Sequence, residues 1–252
     1  METTIMLGDT EVARIGLGTN RLRNTREHVE LVQQAVAAGI GYVDTAHTYT
    51  DGESEATVGA VSPAPPVVGT KGGFAPGTGS PERLRAQIDE SLRRLRTESI
   101  ELYYLHRVDP ETPLEESLGA IAQCRDAGKV RHVGISQVDV EQIERAREVV
   151  PIAAVQNHYN LAERRYDDVV DHCAREGIVF VPYFPLRGDG GGAVDELAER
   201  RGATTAQVEL AWLLARSPAM LPIPGTLSLE HARENLGALE LELTDDELEA
   251  LG

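Results

Sequence analysis

Apolar residues in this chain fall into short β-branched runs separated by longer stretches in which they recur every three or four positions. The short runs predict strands at residues 13–18, 41–45, 67–70, 100–106, 130–136, 152–157, 179–184 and 220–223. The longer stretches predict helices at residues 26–38, 53–60, 81–96, 114–127, 140–149, 163–176, 205–216 and 229–236. Strict alternation of strand and helix implies parallel strands joined by helical crossovers. Open doubly wound sheets usually stop at fewer strands than this, so the pattern predicts an α/β fold of the (β/α)8 TIM-barrel type, in one domain spanning residues 1–252.

The breakers agree with that pattern. Gly39, Gly128 and Gly177 each follow a helical stretch, where a left-handed cap is wanted. Ser80-Pro81-Glu82 reads as an N-cap with proline in the first turn, and Thr112-Pro113 repeats the device. Gly8-Asp9 lies between two apolar runs within residues 5–18, which predicts an N-terminal β-hairpin across the barrel bottom. Residues 188–192 are glycine-rich and predict a flexible loop after the seventh strand.

Composition narrows the partners. With 24 Lys and Arg against 41 Asp and Glu, the formal charge is −17, which excludes non-specific attraction to nucleic acid. No apolar stretch approaches the roughly 20 residues that cross a bilayer, and no membrane partner is expected. The opening residues 1–11 lack a basic, then apolar, leader, so a cytoplasmic location is expected. The two cysteines, Cys124 and Cys173, are far apart in sequence and read as free thiols. No histidine or cysteine spacing predicts a metal site. Nothing in the pattern sets the oligomeric state.

In a barrel of this kind, function sits at the C-terminal ends of the strands. Those ends carry Asp44, Lys71 and His106, with Tyr49 one short loop beyond Asp44. A phenol can donate a proton, and a neighbouring ammonium would lower its pKa. Asp44 would pair with Lys71 and hold it charged, and His106 would polarise a substrate oxygen. The set lacks a nucleophile–base pair for acyl transfer. It suits protonation of an oxygen that gains negative charge, as a carbonyl does when hydride reaches its carbon. Two other readings use the same residues: a cofactor-binding regulatory or redox-sensing barrel, and an aldolase with a Schiff base on Lys71.

Several stretches, in order, resemble the aldo-keto reductase family. They are Gly41-Tyr42-Val43-Asp44-Thr45-Ala46-His47-Thr48-Tyr49, Gly52-x-Ser54-Glu55-x-x-x-Gly59, Gly69-Thr70-Lys71 and Tyr103-Tyr104-Leu105-His106. Residues 128–136 and the tail at residues 223–235 continue the resemblance, which covers nearly the whole chain and is nearest to short bacterial, pyridoxal-reductase-like members. The resemblance implies NAD(P)H-dependent reduction of a small aldehyde or ketone, with NADPH the expected cofactor and NADH the alternative. It implies that Tyr49 is the general acid, supported by Lys71 and Asp44, and that His106 orients the carbonyl. It places Ser136 and Gln156 at the nicotinamide carboxamide and Tyr183 on the ring face. Leu186 to Gly188 match the loop over the pyrophosphate, with Gly18, Thr19 and Gly225 in the same groove. Thr226, Leu227, Ser228, His231, Glu234 and Asn235 match the segment around the 2′-phosphate and adenine. Substrate walls are expected from Asn20, Arg21, Phe74, Arg107 and the loop after Phe184. The chain departs from the family where Gln137 follows Ser136 in place of Asn, where Phe184 replaces Ser, and where His231 replaces Arg.

Overall fold

The computed structural model describes residues 2–186 and 191–252. Thr4–Leu7 (β1) and Thr10–Ala13 (β2) form an antiparallel hairpin. Leu17–Gly18 (β3), Tyr42–Asp44 (β4), Val67–Gly72 (β5), Ile100–Leu105 (β6), Val130–Ser136 (β7), Ile152–Gln156 (β8) and Val179–Phe180 (β9) form one curled parallel sheet in chain order. The crossover helices are Arg26–Ala37 (α1), Glu53–Val58 (α2), Pro81–Leu95 (α3), Leu114–Asp126 (α4), Val140–Val149 (α5) and Asp167–Glu176 (α6). Gly191–Arg201 (α7) and Thr205–Arg216 (α8) follow β9, and Leu229–Leu236 (α9) and Asp245–Leu251 (α10) end the chain.

The eighth stave of the barrel has no ladder of its own. Residues 220–225 bridge β9 and β3 through single parallel pairings of Phe180 with Met220 and of Gly18 with Gly225. Leu221 N–H donates to Phe180 O at 2.9 Å, while Pro222 O and Pro224 O accept from Gly16 N and Gly18 N at 2.9 and 3.2 Å. Two prolines in three residues can accept but not donate, so this segment closes the ring without becoming a regular strand.

Other boundaries also differ from the sequence expectation. Ala13 pairs with Thr4 inside the hairpin, so the first barrel strand shrinks to Leu17–Gly18. The seventh ends at Phe180, beyond which Tyr183 makes one bridge to His158. The helix expected from residue 163 begins at Asp167, because Asn160 and Glu163 exchange backbone hydrogen bonds in a tight turn. Pro113 occupies the cap position of α4 instead of its first turn. Gly191 and Gly192 open α7, where the sequence suggests only loop. The rest of that glycine-rich tract, Gly188 included, lies outside the described residues.

Strand alternation sorts the core into two layers. On β6, Leu102 and Tyr104 belong to the inner cluster, while Tyr103 and Leu105 pack outward under the helices. On β4, Tyr42 points in and Val43 out. Leu7 and Val12 of the hairpin join the inner cluster and plug its bottom. Two tyrosines fit inside the barrel only because glycines face them. A Cβ on Gly134 would lie 2.4 Å from the Tyr104 ring, and one on Gly69 would lie 2.4 Å from the Tyr42 hydroxyl.

Candidate active site

The same alternation builds the site. Tyr42 faces inward, so Asp44 does too; Tyr104 faces inward, so His106 follows it; Val179 and Val181 face inward, so Tyr183 does. Register then aligns the strand ends, with Lys71 opposite Tyr104 and Ser136 opposite Gln156. Residues distant in the chain thus meet at the C-terminal rim on the inner face.

At the centre, Lys71 and Asp44 are almost completely buried and 2.5 Å apart. Burying two charges is costly unless their remaining valences are filled. Here they are filled: Lys71 Nζ also donates to Thr45 O at 2.7 Å, and Asp44 Oδ2 accepts from Tyr42 OH at 2.9 Å and Gln156 Nε2 at 2.8 Å. Burial alone would lower the Lys71 pKa, but Asp44 and the nearby phenol outweigh it and hold the ammonium above its ordinary value. Lys71 lies behind the cavity wall, so it is neither accessible nor deprotonated enough to attack a carbonyl. This disfavours the aldolase reading.

Tyr49 opens a tight turn, Tyr49–Gly52, just before α2, in which Thr50 and Asp51 take positive φ of 47° and 56°, and the Lys71 ammonium lies 5.1 Å from its ring centroid. Beneath it, buried Glu55 accepts from Thr70 Oγ1 at 2.6 Å and pairs with Arg94, which also donates to His47 O at 2.9 Å. His47 is thereby held in the loop and is not part of the cavity wall. The expected lowering of the phenol pKa is not what results. Burial pushes Tyr49 above its ordinary value and Asp44 adds to this, while Lys71 pulls it back only in part. Tyr49 is therefore a protonated donor. Burial, followed by the Lys71 and Arg107 cations, pushes His106 down to about 3, so its imidazole is neutral. Its Nδ1 is buried and has no hydrogen-bond partner among the described residues, while the ring itself lines the cavity.

A cavity of about 520 Å³ opens above these groups, within the usual range for small-molecule sites. Gly18, Thr19, Asn20, Arg21, Asp44 and Tyr49 line it, as do Phe74, His106 and Arg107. Ser136, Gln156, Tyr183, Leu186 and Gly225 complete the expected set. The described wall stops at Gly225. Thr226, Leu227, Ser228, His231, Glu234 and Asn235 follow directly, on the turn into α9 and along it. There Thr226 Oγ1 accepts from Ser228 N at 3.0 Å, and the Ser228 side chain caps the helix at His231 N.

Four wall residues are absent from the expected set: Gln137, Phe184, Ile223 and Pro224. Gln137 and Phe184 both adopt positive φ, at 59° and 52°, conformations that no glycine announces in the sequence. Gln137 donates to the Tyr183 hydroxyl and accepts from Tyr166 OH. His158 stacks on Tyr183, with ring centroids 5.2 Å apart and planes within 10°. Together they fix the aromatic face that closes one side of the cavity.

A parallel barrel with a buried ion pair, a protonated phenol and a neutral imidazole at its C-terminal rim defines a class of protein suited to proton delivery beside a bound small molecule. The chain belongs to the aldo/keto reductase family, whose model matches residues 14–193 and 189–252. It is 33% identical to pyridoxine 4-dehydrogenase of Escherichia coli over 98% of this chain and 96% of that protein. It is also 33% identical to an uncharacterised oxidoreductase of Schizosaccharomyces pombe, over 96% of this chain and 87% of the other. The crystal structure of a Klebsiella pneumoniae aldo-keto reductase in complex with NADPH superposes with a TM-score of 0.91 at 29% identity, covering 100% of this chain and 94% of that one.

Proposed function

We propose that this protein reduces an aldehyde or ketone on a small molecule, using NADPH, with Tyr49 as the proton donor. The observation that carries the reading is the convergence of Tyr49, the Lys71–Asp44 pair and His106 on one cavity whose opposite wall is the Tyr183 face.

The residues present fit such a cofactor. The flat, half-buried Tyr183 ring and the polar ends of Ser136 and Gln156 suit a heteroaromatic carboxamide. The backbone of Gly18, Thr19, Leu186 and Gly225 continues the groove toward α9, whose N-terminus offers N–H groups to an anion. Thr226, Leu227, Ser228, His231, Glu234 and Asn235 would hold the far end. When bound, NADPH supplies the hydride.

The chain's own residues do the rest. The neutral imidazole of His106, which lines the cavity, orients the carbonyl oxygen. Tyr49 delivers a proton to that oxygen as its charge grows, and Lys71 stabilises the phenolate left behind. Asp44 keeps Lys71 charged and fixed. Neither the ammonium nor the carboxylate needs to move, so the electrostatics are set before substrate arrives.

Fluorescence titration with NADPH and NADH, followed by a carbonyl panel that includes pyridoxal, tests this reading. Tyr49→Phe is expected to bind NADPH nearly as the parent does and to lose turnover by a factor of about 10² or more. Full activity in that variant would overturn the acid assignment.

A further inference from the structure

The charge of the cavity wall runs opposite to that of the molecule. The chain carries −17, yet among the described residues the charged ones lining the cavity are Arg21, Arg107 and Asp44. Asp44 is neutralised by Lys71 at 2.5 Å. Among the described residues the two arginines, both exposed at the cavity rim, are thus left as positive charge at the mouth of a site in a strongly acidic protein, where an apolar wall would be the simpler way to hold a neutral carbonyl compound.

The two arginines stand at different ends. Arg21 donates to Gly225 O at 3.0 Å, on the side of the groove that leads to α9. Arg107 directly follows His106. Its guanidinium lies 4.7 Å from the Phe74 ring centroid, and that ring lies 4.8 Å from the His106 ring. Among the described residues Arg107 has no carboxylate partner. Stacking on Phe74 restrains the guanidinium while leaving its donors unused, an arrangement suited to a planar or tetrahedral oxyanion. The guanidinium and the His106 ring both border the Phe74 ring, so one small molecule carrying a carbonyl and an anion can reach the two.

We propose that the site accepts carbonyl substrates bearing an anionic group, carboxylate or phosphate, and that Arg107 binds that group. The inference rests on the reductase reading and goes beyond it by naming the substrate class. It makes Arg107 a specificity residue and assigns the positive charge at the His106 end to the substrate rather than to the cofactor.

The test compares kcat/KM for 4-carboxybenzaldehyde with that for its methyl ester, and for 4-formylphenyl phosphate with that for its methyl ether analogue, 4-methoxybenzaldehyde. The parent protein and the variants Arg107→Met and Arg107→Lys are assayed with NADPH. The parent is expected to prefer at least one anion over its neutral counterpart by about tenfold or more, chiefly through KM. In Arg107→Met the ratio should fall toward one, and Arg107→Lys should restore part of it. NADPH titration of each variant shows that it is folded and that the effect is not on the cofactor. Turnover of the neutral aldehydes without preference for either anion, or a preference unchanged in Arg107→Met, overturns the inference and leaves carbonyl reduction standing. Absence of turnover on every aldehyde despite NADPH binding overturns the reductase reading and this inference together.

Discussion

At Lys71, an ammonium with no exposed surface is tolerated because each of its strong partners is in place. Removing one member of such a pair costs more than removing both, since a lone buried charge remains. Lys71→Met should therefore destabilise the fold by about 3–5 kcal/mol by leaving the Asp44 carboxylate unpaired, and Lys71→Met with Asp44→Asn should recover much of that loss. Urea denaturation of the two variants checks the difference. His106 gives a second prediction. Its folded pKa of about 3 lies below the ordinary 6.5, so in that interval the unfolded chain binds a proton that the folded one does not. Stability must then fall as pH drops from about 6.5 toward about 3. His106→Asn should flatten that part of the acid limb in a pH series of denaturation curves. NMR titration should find the His106 ring neutral across the whole neutral range.

Between elements, the hairpin and the closing stave are tied by one side chain. Arg14, 2% exposed, donates to Met220 O, Leu214 O and Ser217 O at 3.2, 3.0 and 2.6 Å, and to Glu2 O at 3.1 Å. The first three carbonyls end α8 and begin the segment that closes the ring. Arg14→Met should cost about 2–4 kcal/mol in thermal or denaturant unfolding. Arg14→Lys should recover only part, because a single ammonium cannot reach four acceptors spread along a guanidinium fork. This clamp was not legible in the sequence, where Arg14 sits within a run read as a plain strand. The capping signals fared better. Gly39, Gly128 and Gly177 do take positive φ after their helices, because that requirement is local. The helix Gly191–Arg201 was hidden for the opposite reason. Its glycine-rich opening argues for a loop, and only packing of Val194, Leu197 and Ala198 against Val208 makes it a helix.

For the whole molecule, ring closure and cavity depend on the same short segment. Residues 220–225 bridge β9 to β3 and supply Ile223, Pro224 and Gly225 to the wall. A chain ending at Ala219 would expose both strand edges and lose one side of the site. It should aggregate or elute as an expanded species on size-exclusion chromatography, melt without a sharp transition and bind no NADPH. The sequence by itself determined the alternation of strands and helices, the hairpin, and which residues end on the rim. Those features follow from periodicity and strand parity, which are properties of neighbours along the chain. Family resemblance supplied the expected roles of Tyr49, Lys71, Asp44 and His106. Only the tertiary structure decided that burial outweighs Lys71 at the Tyr49 phenol, that two non-glycine residues, Gln137 and Phe184, turn at the cavity edge, and that two prolines close the barrel. Each of those depends on what distant segments bring within a few ångströms: the water they exclude, the charges they oppose, and the donors and acceptors they offer.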